Sequence, residues 1–370
     1  MQTRPNALMG WTLLLALVST AHAAPNPPTS EVKKPLLSSK SAAPAKAAAS
    51  KAPTRKAAAP EPQAEAEALA REILTDVDET CSRFREDSDL SAVNENPGQW
   101  TRAHPVLVAG VRVALDAARL TDGLVTPLLG RPLSYWGYDR DFASLTELAD
   151  RPLGGASEAP ADPHAWTRVE LDQDAVRIPA GTALDLGATA KAWASDMIAA
   201  AWRENLDGGA LISLGGDLAI VADGQPWPIA VSERPHADPD QLVTLDSGGL
   251  ATSSTTVRRW RRGGAVRHHL IDPRTGRPAN GPWRTITATG ASAVAANTAT
   301  TAALILGTEA VPWLDSHAID ARLVDNAGRV RTTGTWPVPD DSQLAEQPTV
   351  DPEPATETTP LTFTTTGAHR

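Results

Sequence analysis

Apolar positions in the first half of the chain predict two helices and a hairpin. The segment from Leu69 to Phe84 has apolar residues every three or four positions, which predicts an amphipathic helix with an acidic polar face. A second helix is predicted from Pro105 to about Leu120, before the turn Thr121-Asp122-Gly123. From Val169 to Ile178 apolar and polar residues alternate around Asp172-Gln173-Asp174, which predicts a hairpin.

The second half of the chain predicts mostly strands. A helix is predicted from Thr189 to Asn205, after Gly187, and another from Ser292 to Leu306 with Ser292 as its N-cap. Five short strands are predicted at Ala210 to Leu214, Ile229 to Val231, Leu242 to Leu245, Leu250 to Thr252 and His268 to Ile271. Strands outnumber helices and are interspersed with them, so the predicted fold is α+β, with a largely antiparallel sheet and packed helices.

Both ends of the chain differ from this pattern. Residues 1–23 combine Arg4, an apolar run from Leu8 to Val18 and Ala21-His22-Ala23, which is typical of a signal peptide. An uncleaved N-terminal membrane anchor is the alternative. Residues 24–62 form an Ala/Pro/Lys-rich linker and residues 338–370 an acidic Pro/Thr-rich tail, both predicted to be disordered. A single folded domain is therefore predicted at 63–337, in an exported protein that is periplasmic or extracytoplasmic.

Composition narrows the class of partner. The formal net charge of -10 argues against a general nucleic-acid binder, and 41% hydrophobic residues suffice for a core. Cys81 is the only cysteine, so no internal disulfide can form. The charge is uneven, because residues 24–60 carry seven Lys/Arg and one acid, whereas residues 339–370 carry six acids and one Arg.

The block from Leu184 to Lys191 indicates an anion site. Gly187 precedes the predicted helix, whose first-turn N–H groups and dipole favour an anion, and Lys191 adds a full charge. A phosphate or pyrophosphate fits this arrangement, although plain helix capping also explains a glycine and a lysine at a helix start. Asp185 could cap the helix or accept a hydrogen bond from a ligand.

Three other features carry candidate chemistry with a structural alternative for each. Asn297 and Thr301 are four residues apart on one helix face and could offer two oxygens to a hard cation, or only pack. Gly215-Gly216-Asp217 follows a strand and by itself predicts a turn. His268 and His269 are adjacent in a predicted strand, where they would point to opposite faces, which disfavours a shared zinc ion.

Taken in order, seven blocks of the chain resemble the ApbE-like family of FAD:protein FMN transferases. They are Ser82 to Ser91 with Asn94, Thr121-Asp122-Gly123 with Trp136-Gly137, Leu184 to Asp196, Ser213 to Asp217, Leu250 to Ser253, His269 to Gly276, and Ala296 to Thr301 with Leu306-Gly307. The resemblance covers nearly the whole predicted domain. It implies a single flavin transferase domain that moves the FMN half of FAD to a Thr or Ser hydroxyl of an exported or membrane-bound flavoprotein, with Mg²⁺ and release of AMP.

The resemblance also implies roles for residues. His269 is the catalytic candidate, assisting deprotonation of the acceptor hydroxyl. The FAD-binding candidates are Ser82, Arg83, Phe84, Thr126, Asp185, Lys191 and the backbone near Ile271, with Phe84 as the stacking ring. The Mg²⁺ candidates are the carbonyl of Ala188 and the side chains of Asn297 and Thr301.

Three departures from the family pattern leave alternatives open. Asn297 replaces an aspartate at the metal position, Thr126 also stands where an aspartate is usual, and no strand is predicted before the first helix. A protein that binds or carries FAD without transfer, or one that hydrolyses FAD to FMN and AMP, would keep the same fold.

Overall fold

A computed structural model describes residues 13–18, 62–146, 162–233, 239–338 and 364–367. The helices are α1 Pro62–Cys81, α2 Asp89–Glu95, α3 Pro105–Leu120, α4 Gly130–Tyr135, α5 Phe142–Thr146, α6 Ala190–Asn205, α7 Ala293–Leu306 and α8 Ala310–Ser316. The first strands are β1 Leu13–Val18, β2 Thr101–Arg102, β3 Glu170–Leu171, β4 Ala175–Arg177, β5 Gly209–Leu214, β6 Asp217–Val221, β7 Trp227–Val231 and β8 Gln241–Leu245. The others are β9 Gly248–Ser254, β10 Arg259–Arg262, β11 Ala265–His268, β12 Ile271–Asp272, β13 Arg277–Pro278, β14 Trp283–Gly290, β15 Ala321–Asp325, β16 Val330–Thr333 and β17 Thr364–Gly367.

One large sheet organises the molecule. Its strand order is β16-β15-β14-β9-β6-β5-β1-β17, and every neighbouring pair is antiparallel except β1 with β17. In the β9–β14 pair, Ser253 of β9 lies opposite Ile286 of β14. Four small sheets, β2-β4-β3, β7-β8, β10-β11 and β12-β13, surround it. The predicted α+β class with a largely antiparallel sheet is confirmed.

Helices α6 and α7 cover the sheet and position the candidate site. Helix α6 packs on β5 and β6, and α7 packs on β9 and β14. Helix α7 has apolar, Thr and Asn residues all around its circumference, as expected for a helix that is buried on every side, and eleven of its residues are buried. Its N-cap Ser292 accepts a hydrogen bond from the Ala295 N–H, which typically stabilises a helix by about 1 kcal/mol.

The sheet meets the start of α7 at two glycines. A Cβ at Gly249 would lie 2.4 Å from the Ala293 nitrogen, and one at Gly290 would lie 2.6 Å from the Ala296 nitrogen. Both distances are far below van der Waals contact, so any side chain at either position would displace the helix. The absence of side chains at these two positions sets the height of α7 above the sheet.

Several predicted elements are confirmed. Helix α3 spans the predicted residues, and its N-cap His104 accepts a hydrogen bond from the Val106 N–H. Helix α7 and its Ser292 cap, helix α6, and the β3–β4 hairpin also match. The strands predicted at Ala210, Ile229, Leu242 and Leu250 form as β5, β7, β8 and β9.

Two local predictions are wrong. Helix α1 ends at Cys81, so Phe84 is not on it and lies in the following turn, 36% exposed. The strand predicted from His268 to Ile271 is interrupted, because β11 ends at His268 and β12 begins at Ile271.

The predicted terminal segments fall largely outside the described residues. Within the predicted signal peptide, Leu13–Val18 forms β1, which pairs with β5 in the large sheet. Thr364–Gly367 of the predicted tail forms β17 beside it. The cleavage site and the linker lie outside the described residues. None of the helices in the described part of the chain is both long and apolar enough to cross a lipid bilayer.

Candidate functional site

A buried ion pair links the start of α6 to the turn between β5 and β6. The Lys191 Nζ lies 2.5 Å from Asp217 Oδ2, and the two side chains are 14% and 3% exposed. The turn Gly215-Gly216 has φ values of +59° and +94°, which glycine adopts without strain. It returns the chain so that Asp217 points toward Lys191.

Asp217 also fixes the side chain of Asn297 on α7. The Asn297 Nδ2 donates a hydrogen bond of 3.0 Å to Asp217 Oδ1. An ionised carboxylate only accepts hydrogen bonds, so this contact orients the amide with Nδ2 toward Asp217. The other end, Asn297 Oδ1, is buried without a hydrogen-bond partner in the described structure. A buried oxygen of this kind costs free energy unless a ligand satisfies it.

One helical turn along α7, Thr301 presents a second oxygen. Its hydroxyl lies 3.1 Å from the Ser253 hydroxyl on β9, which also contacts the Thr300 hydroxyl at 3.0 Å. Asn297 and Thr301 are 8% and 6% exposed. The predicted pair therefore does share a buried face, and Ser253 joins it from the sheet.

Asp196 holds the two helices in their relative position. Its carboxylate, on α6, accepts hydrogen bonds from the N–H groups of Ala293 and Val294 at 2.9 and 3.0 Å. A carboxylate at a helix N-terminus is favourable because those N–H groups have no partner within the helix. The start of α7 is thereby fixed to α6, at a position five residues along the helix from Lys191.

Aromatic side chains form a second part of the site, which we call the aromatic slot: Phe84, Tyr138 and Trp260. The Phe84 ring lies 5.6 Å from the Tyr138 ring, and Tyr138 stacks on Trp260 at 5.4 Å. The Arg83 guanidinium lies 4.2 Å from the Phe84 ring centre and 4.8 Å from the Tyr138 ring centre. Planar groups thus already stack at this position.

Asp185 joins the aromatic slot to the start of α6. One carboxylate oxygen pairs with Arg83, and the other accepts a hydrogen bond of 2.9 Å from the Gly187 N–H. Asp185 therefore shapes the turn before α6 but does not cap that helix, whose N-cap is Thr189 and has no side-chain capping hydrogen bond. The Arg83 Nη2 remains buried without a hydrogen-bond partner in the described structure.

His269 lies at a bend and is held neutral. Burial lowers the pKa of His269 well below its usual range, with further lowering by the charges of Arg258, His268 and Lys191. The ring has a hydrogen bond with the backbone of Arg258, whereas its Nδ1 is buried and without a partner among the described residues. Neighbouring His268 faces Ala279, whose carbonyl lies 3.0 Å from Nε2, so the two rings are not arranged as a metal pair.

The other predicted residues lie nearby with structural contacts of their own. The Ser82 hydroxyl accepts from the Phe84 N–H at 3.3 Å, and that of Thr126 accepts from the Leu128 N–H at 3.3 Å. Ile271 is fully buried in a cluster with Trp260. Ala188 lies two residues before α6.

Any cation in this region would have few charged ligands. Among the described residues no three His, Cys, Asp or Glu side chains come together as a metal site. Asp217 is the carboxylate in contact with Asn297, and the remaining oxygens there are an amide and hydroxyls. Oxygen donors of this type suit Mg²⁺ or Ca²⁺ rather than zinc.

Sequence reasoning missed four contributors to this region: Tyr138, Asp217, Ser253 and Arg258. In the sequence, Asp217 belongs to a predicted turn, whereas its contacts to Lys191 and Asn297 span 26 and 80 residues of sequence. The sequence signal that could have identified Asp217 is the pair of glycines followed by an aspartate directly after a predicted strand.

The sequence profile of the ApbE family matches residues 48–339, which is more than three quarters of the chain. The chain belongs to the ApbE family. Its ApbE domain includes the Lys191–Asp217–Asn297 chain of contacts, the aromatic slot and His269.

Named relatives agree with this membership. The chain is 26% identical over 260 residues to a FAD:protein FMN transferase of Vibrio cholerae, covering 66% of this chain and 75% of the relative. It is 27% identical over 296 residues to a FAD:protein FMN transferase of Treponema pallidum, covering 73% and 80%. The crystal structure of an ApbE protein from Thermotoga maritima superposes with a TM-score of 0.63 at 25% identity, covering 76% of this chain and 92% of that chain.

Proposed function

We propose that this ApbE protein is a FAD:protein FMN transferase that moves FMN from FAD to a Thr or Ser hydroxyl of a partner flavoprotein and releases AMP. Two relatives bear the name FAD:protein FMN transferase. The observation that carries the proposal is the series of contacts from Lys191 through Asp217 to Asn297, whose Oδ1 is buried without a partner among the described residues. These contacts place an oxygen that could bind a cation close to a lysine at a helix start that could bind an anion.

The two parts of the site match the two chemical parts of FAD. The isoalloxazine ring would stack in the aromatic slot against Phe84, whose ring is partly exposed. The diphosphate would lie at the start of α6, where free N–H groups and Lys191 favour negative charge. Asp185, which contacts both Arg83 and Gly187, sets the relative position of these parts.

The residues present fit a Mg²⁺ ion. The buried Asn297 Oδ1 needs a partner, the Thr301 hydroxyl lies on the same helix face, and the Ala188 carbonyl is the third candidate ligand. Asp217 contacts Asn297, but its negative charge is paired with Lys191, so the candidate ligands themselves are neutral oxygens. A bound Mg²⁺ would neutralise charge on the diphosphate as the phosphorus is attacked.

His269 is the candidate general base. Its lowered pKa keeps the imidazole neutral at pH 7, and Nδ1 has no partner among the described residues. The acceptor oxygen would form a bond to the FMN phosphorus while the bond to the bridging oxygen of AMP breaks. His269 would take the hydroxyl proton, and AMP would leave with the electron pair of the broken bond.

The deciding experiment mixes the full chain with FAD, Mg²⁺ and a candidate acceptor flavoprotein. The expected result is flavin fluorescence on the acceptor that survives denaturing electrophoresis, an acceptor mass increase equal to FMN, and one AMP per labelled acceptor. His269→Gln is expected to retain FAD binding and to lose labelling. AMP release without labelled protein would instead indicate FAD hydrolysis, and tight FAD binding without either product would indicate a carrier.

We also propose that the protein is exported. The support is the N-terminal charge and apolar pattern of residues 1–23. N-terminal sequencing of the protein recovered from cells is expected to start at Ala24. Recovery of an intact N-terminus in the membrane fraction would support the uncleaved anchor instead.

A further inference from the structure

The β10–β11 hairpin concentrates positive charge in an acidic protein. Between Val257 and His269 the sequence has five arginines and no Asp or Glu, although the whole chain has a net charge of -10. The arginines are Arg258, Arg259, Arg261, Arg262 and Arg267. Like charges placed this close repel one another, so the cluster needs a compensating partner or a function.

Most hairpin arginines lack the acidic partners that arginines have elsewhere in the molecule. Arg274 pairs with Asp272 at 2.9 Å and Arg284 with Glu233 at 2.8 Å. By contrast, no carboxylate of the described residues lies within salt-bridge distance of four hairpin arginines: Arg258, Arg259, Arg262 and Arg267. Of these four, Arg259 is exposed, so its charge is available to an external anion.

Strand register divides the hairpin into two faces. Arg259 lies opposite His268 and Arg261 opposite Val266, and Arg259, Arg261 and Val266 are exposed on this outer face. Trp260 lies opposite Arg267 on the inner face, toward the aromatic slot. The hairpin is a separate two-stranded sheet, and neither strand pairs with a third strand in the described structure. Its outer backbone edges can therefore accept an added strand.

The inner face connects the hairpin to the candidate site. The Trp260 indole stacks on Tyr138 and donates a hydrogen bond of 2.7 Å to the Trp136 carbonyl. Burial raises the pKa of Tyr138 and lowers that of His269, and the charge of Arg258, next to β10, acts on both groups: it opposes the rise at Tyr138 and adds to the lowering at His269. A protein segment seated on the hairpin would therefore lie beside the proposed base.

We propose that the β10–β11 hairpin is the docking surface for the acceptor protein, and that it binds an acidic, extended segment next to the target Thr or Ser. This assignment rests on the proposed function. An acidic side chain would complement Arg259, and the exposed Val257 and Val266 would add apolar contact. A short acidic segment fits better than a nucleic acid or an anionic membrane, because an extended polyanion would also meet the negative charge of the rest of the protein.

The test measures peptide binding by the full chain without FAD, so it is independent of transfer. The probe is a fluorescein-labelled peptide with a central Thr flanked by Asp residues, with matched peptides that carry Asn or Lys instead. We expect the Asp peptide to bind about tenfold more tightly than the Asn peptide at low salt, and the Lys peptide not to bind. The preference should weaken as salt rises to about 300 mM.

Matched variants locate the interaction. Arg259→Glu is expected to weaken Asp-peptide binding about tenfold and to leave FAD affinity unchanged. Arg331→Glu changes the net charge equally at an exposed position of β16, and should bind the peptide like the parent. With FAD, Mg²⁺ and an acceptor, the hairpin variant should raise KM for the acceptor more than it lowers kcat.

Three outcomes would overturn the assignment. The first is equal binding of the Asp and Asn peptides, or equal loss of binding in Arg259→Glu and Arg331→Glu. The second is binding of phosphatidylglycerol vesicles through the hairpin without peptide binding, which would indicate a membrane surface. The third is at least tenfold tighter peptide binding after the six acids of residues 339–370 are changed to Asn or Gln, which would make the chain's own tail the occupant.

Discussion

Replacing Asn297 with aspartate tests the central feature of the site. The change removes the Nδ2 donor and places a carboxylate oxygen about 3.0 Å from Asp217 Oδ1. With an effective dielectric of about 20, two unit charges at this distance repel by about 5 kcal/mol. Protonating the introduced carboxyl, with a normal pKa near 4, would relieve the repulsion at a cost of about 4 kcal/mol at pH 7. The Lys191 Nζ, 2.5 Å from Asp217 Oδ2, offsets part of this repulsion, so the metal-free variant should be destabilised by at most about 4 kcal/mol.

Mg²⁺ should reverse this loss. A second carboxylate gives the cation a stronger ligand set, so binding of the ion to the folded state would stabilise Asn297→Asp more than the parent. For a domain of this size, 4 kcal/mol corresponds to a shift in Tm of about 8–16 °C.

The assay is thermal unfolding followed by circular dichroism, in EDTA and in millimolar Mg²⁺, with calorimetry of Mg²⁺ binding to each folded protein. The expected pattern is a small Mg²⁺ effect on the parent, a low Tm for Asn297→Asp in EDTA, and a large recovery with Mg²⁺. FAD binding in the presence of Mg²⁺ should be retained.

Two further variants control the result. Asn205→Asp makes the same chemical change at an exposed position at the end of α6 and should show no Mg²⁺-dependent recovery. Asn297→Asp/Asp217→Asn restores one donor and one acceptor across the contact, so the double variant should regain part of the lost Tm in EDTA. The reasoning is refuted if Asn297→Asp unfolds within about 1 °C of the parent in EDTA, or gains no more from Mg²⁺ than the parent does.

Three other changes address the FAD and base assignments. Lys191→Ala should raise the Kd for FAD by about 10- to 100-fold in calorimetry, because it removes a charged contact to the diphosphate. Phe84→Ala should raise the Kd for FAD about 3- to 10-fold through lost stacking, and leave the Kd for ADP unchanged. The pKa of His269 is lower in the folded state than its unfolded value near 6.5. Below about pH 6.5 the unfolded chain therefore binds a proton that the folded chain does not bind, and the free energy of unfolding falls. Denaturant unfolding should show a loss of at most about 2 kcal/mol between pH 6.5 and 5 that is absent in His269→Gln.

Each of these expectations has a contrary outcome. Unchanged FAD affinity in Lys191→Ala, with a native circular dichroism spectrum, would remove the lysine from the diphosphate site. Equal weakening of FAD and ADP by Phe84→Ala would mean that the ring supports the fold rather than stacking on flavin. A parallel pH dependence of unfolding in the parent and His269→Gln would show that His269 protonates normally in the folded state.

Elements with strong local signals were predictable from sequence. Helix α3 has a proline at its first position and apolar residues on one face, and α7 has a serine cap, so both boundaries followed from the chain itself. The interruption at His269 was not predictable, since it depends on the fit of Trp260 and Ile271 into one buried cluster. Phe84 continued the helical spacing beyond α1, but that helix ends at Cys81.

The candidate site was predictable in its parts but not in its connections. Lys191, Asn297 and Thr301 were identified from helix position and spacing, and the fold brings Lys191 and Asn297 to the same carboxylate. That carboxylate, Asp217, could not be recognised locally, because its neighbours in sequence describe only a turn. Stacking of Tyr138 with Trp260 likewise depends on a contact between segments more than 120 residues apart.

The close seating of α7 on Gly249 and Gly290 has a consequence for metal preference. Asn297 and Thr301 belong to one helix that cannot move toward the sheet, so their oxygens keep a fixed height above Ser253. The proposed cation site therefore cannot contract around a smaller ion by shifting that helix toward the sheet. Adaptation to another cation would instead require longer or shorter side chains at the ligand positions. Ion selectivity would therefore change through individual substitutions at those positions and not through movement of α7.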